Sequence, residues 1–440
     1  MRRSVKTLRG ANYPPKIASI LILGLFSIAS PAFSQSCNTN IGRLFIWDDE
    51  ALTKTQTLLT AEPSAAISLR ETQLNLAFEE LLADAETVFT LGPWSVRDKT
   101  KTPPSGDKGD YYSIGPYWWP DPKKEDGLPY IRRDGETNPE RRTDAYDNVA
   151  LSDMADAVET LALAGFLSNE AQYSERAALI VKTWFINPKT AMHPNLNFAQ
   201  SIPGRVDGRG IGLIDTYGLV KLLDAVGLLE TQNLLSSEDM TVLRQWFEDF
   251  SLWMLRSENG KEERRALNNH GVFYDVQLAV FAAFSGDMTA IDKIIDGVES
   301  HRIPGQIDKR GRLPRELDRT RSFHYTAYTI KAFLDLAHIG ECKERDLWRY
   351  ETNKGAGIKK ALTFHAGYAD KLKSWPYRQI RTINPQGLFE NLCRARARSD
   401  WTEPKLETAF QILSPQYPSS RLRLLTHNCS PSEQITVQTK

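Results

Sequence analysis

The chain is poor in the residues that build metal and redox centres. Its 440 residues include only four cysteines and seven histidines, and no Cys-x-x-Cys or His-x-x-x-His spacing occurs. A cysteine-built zinc site and a helical zinc-hydrolase site are therefore not expected. No Gly-x-Ser-x-Gly elbow is present, which argues against an α/β-hydrolase. No Walker A sequence occurs, and the glycine-rich stretch Gly204 to Gly212 follows no recognisable strand, which argues against a phosphate loop. Alternating apolar and polar runs, the mark of half-buried strands, are scarce. There is no exact internal repeat. Net charge is lacking too: 55 Lys and Arg balance 55 Asp and Glu.

The first residues carry their own pattern. Arg2, Arg3, Lys6, Arg9 and Lys16 precede an apolar run from Ile17 to Ala29, and Ala32-Phe33-Ser34 supplies the small residues of a cleavage box. Residues 1–34 thus read as a signal peptide, and the protein is expected to be periplasmic or secreted. The alternative is an uncleaved N-terminal anchor, although the run is short for a membrane span. No later run reaches spanning length, so no membrane association beyond export is expected. Removing five basic residues and no acid takes the net charge of the mature chain from zero to −5. A mildly acidic chain is a poor binder of nucleic acid. A polyanion would need basic groups gathered in a cleft. Export permits disulfides among Cys37, Cys342, Cys393 and Cys429. Of the three pairings, Cys37 with Cys429 and Cys342 with Cys393 is the one expected.

What the sequence does have is helical periodicity. Apolar residues recur at helical spacing over 65–89 and 144–164, and further helices are expected at 171–186, 214–231, 237–255, 271–285, 288–301, 321–338, 355–371 and 402–413. Several are 15–20 residues long, joined by long connections rich in Gly and Pro. The expected fold is all-α, an (α/α) toroid or incomplete α/α barrel over a single domain, 35–440. A plain helical bundle is the alternative. The aromatic share is 10%, with ten Trp, which suits stacking against sugar rings.

Two connections are too long to be plain linkers. The first, Thr102 to Thr143, contains Tyr112, Tyr117, Trp118, Trp119 and Arg132. Its aromatic content argues against disorder. The second, Asn187 to Gly212, contains Asn197, Gln200, Arg205 and Arg209 among glycines that allow unusual backbone angles.

Two short segments carry candidate chemistry. In Leu267-Asn268-Asn269-His270-Gly271, just before an apolar helix expected near Val272, Asn269 is either a helix cap or an amide donor beside a positioned base, His270. In the segment from Arg319 to Tyr328, Arg321 and Tyr325 are four apart, neighbours on a helix. A nearby guanidinium lowers a phenol pKa. The bland reading is a surface helix with partly buried tyrosines. Asp207, Asp215, Asp275, Glu316 and Asp318 offer carboxylates for a glycoside hydrolase, but nothing selects a pair.

Taken together, YYSIGPYWWPDP with GLPYIRRDGETNPE, PNLNFAQSIPGRVDGRGIGLIDT, NNHGVFYDVQ and LPRELDRTRSFHYTAY resemble the alginate lyase domain family, in order from about residue 110 to 340. The resemblance implies a polysaccharide lyase with an (α/α) toroid, acting on a polyuronate such as alginate, poly-mannuronate or glucuronan. It implies Asn269, His270, Arg319 and Tyr325 as catalytic residues, with Arg321 and His324 as neighbours at the substrate. Tyr112, Tyr117, Trp118 and Trp119 are then expected to stack sugar rings. Arg132, Arg205 and Arg209 are expected to meet flanking carboxylates, and Asn197 and Gln200 to contact substrate. For β-elimination, Arg and Asn neutralise the C5 carboxylate, and Tyr325 serves as acid and base, with His270 as a possible base. No metal or other cofactor is expected, and the partner is an anionic polysaccharide. A glycoside hydrolase and a noncatalytic polysaccharide-binding protein are the competing readings. Oligomeric state is not legible.

Overall fold

The structure is a computed structural model and describes residues 44–61, 68–397, 403–426 and 428–430. The expected signal peptide and Cys37 lie outside them. In chain order the helices are α1 (Asp49–Thr60), α2 (Leu69–Phe89), α3 (Asn148–Ser168), α4 (Ala171–Val181), α5 (Gly218–Thr231), α6 (Ser237–Arg256), α7 (Glu258–Arg264) and α8 (Asn269–Phe284). They continue with α9 (Thr289–Gly297), α10 (Ile303–Gln306), α11 (Pro314–Leu317), α12 (Ser322–Glu341), α13 (Ile358–Ala366), α14 (Gln386–Arg396), α15 (Pro404–Leu413) and α16 (Leu422–Leu425).

Local chemistry sets several boundaries. Ser68 and Glu71 form a reciprocal capping box at the start of α2, and Ser236 and Asp239 do the same for α6. Asn169 ends α3 in the left-handed region at φ 61°, a conformation Asn tolerates better than most residues. Pro404 opens α15, where a missing N–H costs nothing.

The sequence separates two layers. Helices α3, α5, α8 and α12 are apolar on nearly every side and largely buried; in α8 only His270 keeps appreciable exposure. Helices α4, α6, α9, α13 and α15 bury one stripe and pack outside them. The inner order runs α2–α3–α5–α8–α12–α14–α16 and returns to α2, so the ring closes. Closure joins distant residues: Arg421 pairs with Asp84 at 2.7 Å, and Arg423 donates to Gln73 at 2.7 Å. The fold is an all-α (α/α) toroid, as expected.

Cys393 of α14 is bonded to Cys429 beyond α16, which corrects both expected pairings, Cys37 with Cys429 and Cys342 with Cys393. Cys393 and Cys429 thus tie together adjoining parts of the ring closure. Asp224 of α5 accepts backbone N–H bonds from Phe45, Ile46 and Trp47 at 2.6, 3.0 and 2.9 Å, which ties residues 44–47 to the inner layer. Four short strands lie in the two long connections. β1 (Tyr112–Ile114) pairs in parallel with β4 (Phe198–Ser201), and β2 (Trp118–Trp119) pairs antiparallel with β3 (Ile131–Arg132). A strand therefore does precede the 204–212 loop, contrary to expectation. It leads into the 3-10 turn Gly210–Thr216 and not into a phosphate-binding helix start. Among the described residues no helix is long and apolar enough to cross a membrane.

Candidate active site

The first turns of α3, α8 and α12, and the 3-10 turn that leads into α5, meet at one cleft of about 1280 Å³. The two long connections form its other wall through Tyr117, Trp118, Arg132, Gln200 and Arg209. Helix N-termini carry partial positive charge, so this end of the ring favours an anion before any side chain is counted.

Asn269 and His270 occupy the first turn of α8, two residues earlier than the expected start of the 271–285 helix. Gly271 makes this turn possible. A Cβ there would lie 2.1 Å from the Ala266 carbonyl oxygen and 2.4 Å from Arg302 Nη1. Arg302 clamps the turn by donating to the carbonyls of Ala266 and Arg264 at 2.8 and 2.7 Å, and it is held by Asp275 at 2.6 Å. Asn269 is not a side-chain cap. Its backbone N–H and side-chain amide both donate to Glu316, at 2.6 Å and 3.0–3.1 Å. Both residues are 1% exposed, so the amide orientation is fixed by a buried carboxylate.

His270 Nδ1 lies 2.7 Å from Glu263, itself 1% exposed. Burial pushes the imidazole pKa down, but Glu263 and then Glu316 outweigh it and the net shift is up. Nε2 makes no hydrogen bond among the described residues, and His270 is one of the residues that line the cleft.

Across the cleft, Arg319 donates to the Tyr325 hydroxyl at 2.9 Å and lies 3.8 Å from that ring's centroid. Asp134 orients Arg319 at 3.2 Å. The Tyr117 and Tyr325 hydroxyls are 2.6 Å apart. Burial drives the Tyr325 pKa well above its ordinary value, and Arg319 only partly opposes the shift. The expected lowering is thus reversed: water excluded from the phenol costs the phenolate more than one guanidinium returns. The pairing is also corrected. Arg321 is the N-cap of α12 and its carbonyl accepts the Tyr325 N–H at 3.1 Å, but its side chain lines a neighbouring cavity, and Arg319 is the residue whose guanidinium meets the phenol.

A second network fixes the floor. Asp215 accepts from Tyr111 at 3.0 Å, Ser113 at 2.8 Å, Arg141 at 2.9 Å and Gln200 at 2.9 Å. Gln200 sits at φ 48°, a strained angle for a residue with a Cβ. Its carbonyl accepts from Arg209 at 2.8 Å, which aims that side chain at the cleft and at the Trp118 ring. Burial pushes the Arg209 pKa down to about 10 despite Glu262 and Asp215, so Arg209 remains cationic at neutral pH. Three of the five carboxylates open to a hydrolase pair are committed to structure: Asp215 as above, Asp275 to Arg302 and Glu316 to Asn269.

The model of the alginate lyase family matches residues 95–375. The chain belongs to the alginate lyase family. A crystal structure of an alginate lyase from Bacteroides ovatus is similar at 35% identity and TM-score 0.79, over 89% of this chain and all of that one. Alginate lyase A1-III from Sphingomonas species A1 is similar at 13% identity and TM-score 0.52, over 88% of this chain and 98% of its own. A Tyr-to-Phe variant of A1-III complexed with tetrasaccharide gives 14% identity and 0.54, over 87% and 95%. At those identities the likeness concerns the fold. No curated protein matches the chain significantly. The protein is a polysaccharide lyase.

Within this alginate lyase fold, Asn269, His270, Arg319, Tyr325, His324, Gln200, Arg209, Tyr117, Trp118 and Arg132 all line the one cleft. Five expected residues do not. Tyr112 packs edge-on against Tyr146 at 5.2 Å. Trp119 donates to the Glu136 carbonyl at 2.9 Å and stacks with Arg133. Asn197 accepts from Trp253 at 2.9 Å, and Arg205 donates to the Tyr130 carbonyl at 2.9 Å. Arg321 lines a neighbouring cavity. The first four are spent on holding a connection in place. Tyr328, Arg141, Arg315 and Asp318 also line the cleft and were not expected there as binding residues. Tyr328 was visible as part of the aromatic helix start; the others carry no local signal.

Proposed function

We propose that this lyase cleaves a polyuronate by β-elimination, with Tyr325 as the proton-transfer residue and Arg319, Asn269 and His270 as the groups that neutralise the C5 carboxylate. The arrangement of Arg319 and Tyr325 opposite Asn269 and His270 in one cleft carries this reading. Neutralising the carboxylate acidifies H5, and removal of that proton leaves a dianionic intermediate that fixed donors stabilise. The C4–O4 bond then breaks, C4 and C5 become doubly bonded, and O4 takes a proton. When H5 and O4 lie on one face, the Tyr325 phenol first gives its proton to solvent beside Arg319, and the phenolate takes H5 and passes that proton to O4, so its charge is restored.

Glu316 needs only one of the two side-chain N–H hydrogens of Asn269, and the other is the donor we assign to the substrate. The raised pKa of His270 favours an imidazolium, which supports carboxylate neutralisation over a base role at neutral pH. Asp215 and its donors hold Gln200 and Arg209 for a neighbouring sugar. The tetrasaccharide bound by the A1-III variant is the class of ligand proposed here. Assaying the purified protein on poly-mannuronate, poly-guluronate and glucuronan for the absorbance of an unsaturated uronate tests the proposal. Reducing ends without that chromophore would move the protein to the hydrolases.

Export to the periplasm or medium is part of the same proposal, resting on the charged, apolar and small-residue order of residues 1–34. N-terminal sequencing of the protein from its native host is expected to begin after Ser34. A chain still starting at Met1 would contradict it.

A further inference from the structure

Beside the cleft lies a second cavity of about 460 Å³, lined by Gly135, Thr137, Pro139, Arg142, Arg321 and Arg381. Three of its six lining residues are arginines. Among the described residues none of the three makes an ion pair, and Arg321 Nε is buried with no hydrogen-bond partner. Other arginines near the cleft are neutralised: Arg141 by Asp215, and Arg319 and Arg132 by Asp134. Three unpaired guanidinium groups around one cavity repel one another unless an anion sits between them.

The backbone holds this arrangement. Arg321 bridges to Gln379, the Ser322 N–H donates to the Arg378 carbonyl at 3.2 Å, and the Ile380 N–H donates to the Thr320 carbonyl at 2.9 Å. These bonds fix the segment that carries Arg381 against the start of α12. Gly135 forms part of the wall at φ 82°, and a Cβ there would lie 2.5 Å from Thr320 Oγ1. Thr137 and Arg142 line both cavities, so the second opens beside the first.

We infer that the Arg142–Arg321–Arg381 cavity is an accessory subsite that binds a carboxylate of the same polymer, one or more sugars away from the bond cleaved. This rests on the polyuronate reading above. A polyuronate presents one carboxylate per sugar, and arginine forks match carboxylates bidentately. The subsite makes the enzyme favour chains long enough to reach both cavities.

Arg381 is exposed and lies outside the catalytic cleft, so Arg381→Ala is the informative variant. Steady-state rates on a long polyuronate and on the shortest oligosaccharide cleaved are the readout. The expected result is a KM raised about ten-fold on the long chain, the loss of one charge-assisted hydrogen bond, with kcat and both short-oligomer constants unchanged and Arg381→Lys partly restored. Unchanged constants on the long chain, or equal losses on both substrates, would overturn the subsite. If the wild type cleaves no polyuronate, the functional reading fails separately. Calorimetric titration of uncleaved polyuronate into wild type and Arg381→Ala then decides: weaker binding by the variant supports the cavity as an anion site, and equal binding overturns it. Sulfate titrated alone tests the other source of anion. Saturable sub-millimolar binding that vanishes in the variant would make this a small-ion site and overturn the polymer assignment.

Discussion

Arg319 meets Tyr325 twice, donating to its hydroxyl at 2.9 Å and covering its ring at 3.8 Å. The guanidinium thus stabilises any negative charge that develops on the phenol oxygen, and it holds the ring where that oxygen faces the cleft. Burial keeps the resting phenol protonated, so in the proposed cycle it sheds that proton before it takes H5, and the guanidinium stabilises the phenolate formed.

Tyr325→Phe removes the hydroxyl that carries the proton and little else. We expect kcat to fall roughly 10²–10⁴-fold, the range of general acid–base catalysis, with oligosaccharide binding retained. Thermal unfolding should change by about 1 kcal/mol, one buried hydrogen bond. Activity near the wild-type level would take the proton-transfer role away from Tyr325.

Arg319→Ala acts on ground state and transition state together. It removes the donor to Tyr325 and leaves Asp134 short of a partner. A roughly 10²–10³-fold loss in kcat/KM is expected, the size seen when one oxyanion donor is deleted, shared between KM and kcat. A change confined to KM would make Arg319 a plain binding residue.

His270 provides a titration that does not depend on turnover. Burial alone would lower its pKa, and Glu263 and Glu316 raise it above 6.5. A raised folded-state value means the stabilisation is full below about pH 6.5 and is lost as pH rises through that value. NMR titration of the imidazole in wild type should therefore give a midpoint above 6.5. Glu263→Gln should lower it and destabilise the fold mainly on the acidic side. The same midpoint in both proteins would remove Glu263 as the cause.

Gly271→Ala tests how tightly the α8 start is built. The added methyl would strike the Ala266 carbonyl and Arg302, neither of which can withdraw without breaking the clamp. A loss of about 1–3 kcal/mol in unfolding free energy is expected, the usual cost of overpacking, together with reduced activity from a shifted His270. A variant as stable and active as wild type would show that the turn has slack.

The inner helices were legible because they are long and apolar, and α3, α5, α8 and α12 lie close to where periodicity put them. Helices α1, α7 and α14 were not. The first two are short and mostly polar. In α14 three arginyl and glutamyl positions surround Leu388, Phe389 and Leu392, and the segment is only eleven residues long. At the site, residue types were readable and their partners were not. Glu263, Glu316 and Asp134 lie 7, 47 and 185 residues from the side chains they orient, and only tertiary packing brings them together. Glu263 sits within Lys261-Glu262-Glu263-Arg264-Arg265, a run indistinguishable from a solvated helix face. Helical spacing chose Arg321 as the partner of Tyr325. Arg321 meets Tyr325 only through its backbone carbonyl and turns its guanidinium to the neighbouring cavity, and Arg319, before the helix, reaches the phenol instead.

The most direct measurement is the absorbance of the unsaturated uronate formed when the purified protein is mixed with poly-mannuronate, poly-guluronate and glucuronan, with Tyr325→Phe run alongside. The account predicts rising absorbance on at least one polymer with wild type and almost none with the variant. No chromophore from any of the three polymers would contradict it, and so would an equal rate from both proteins.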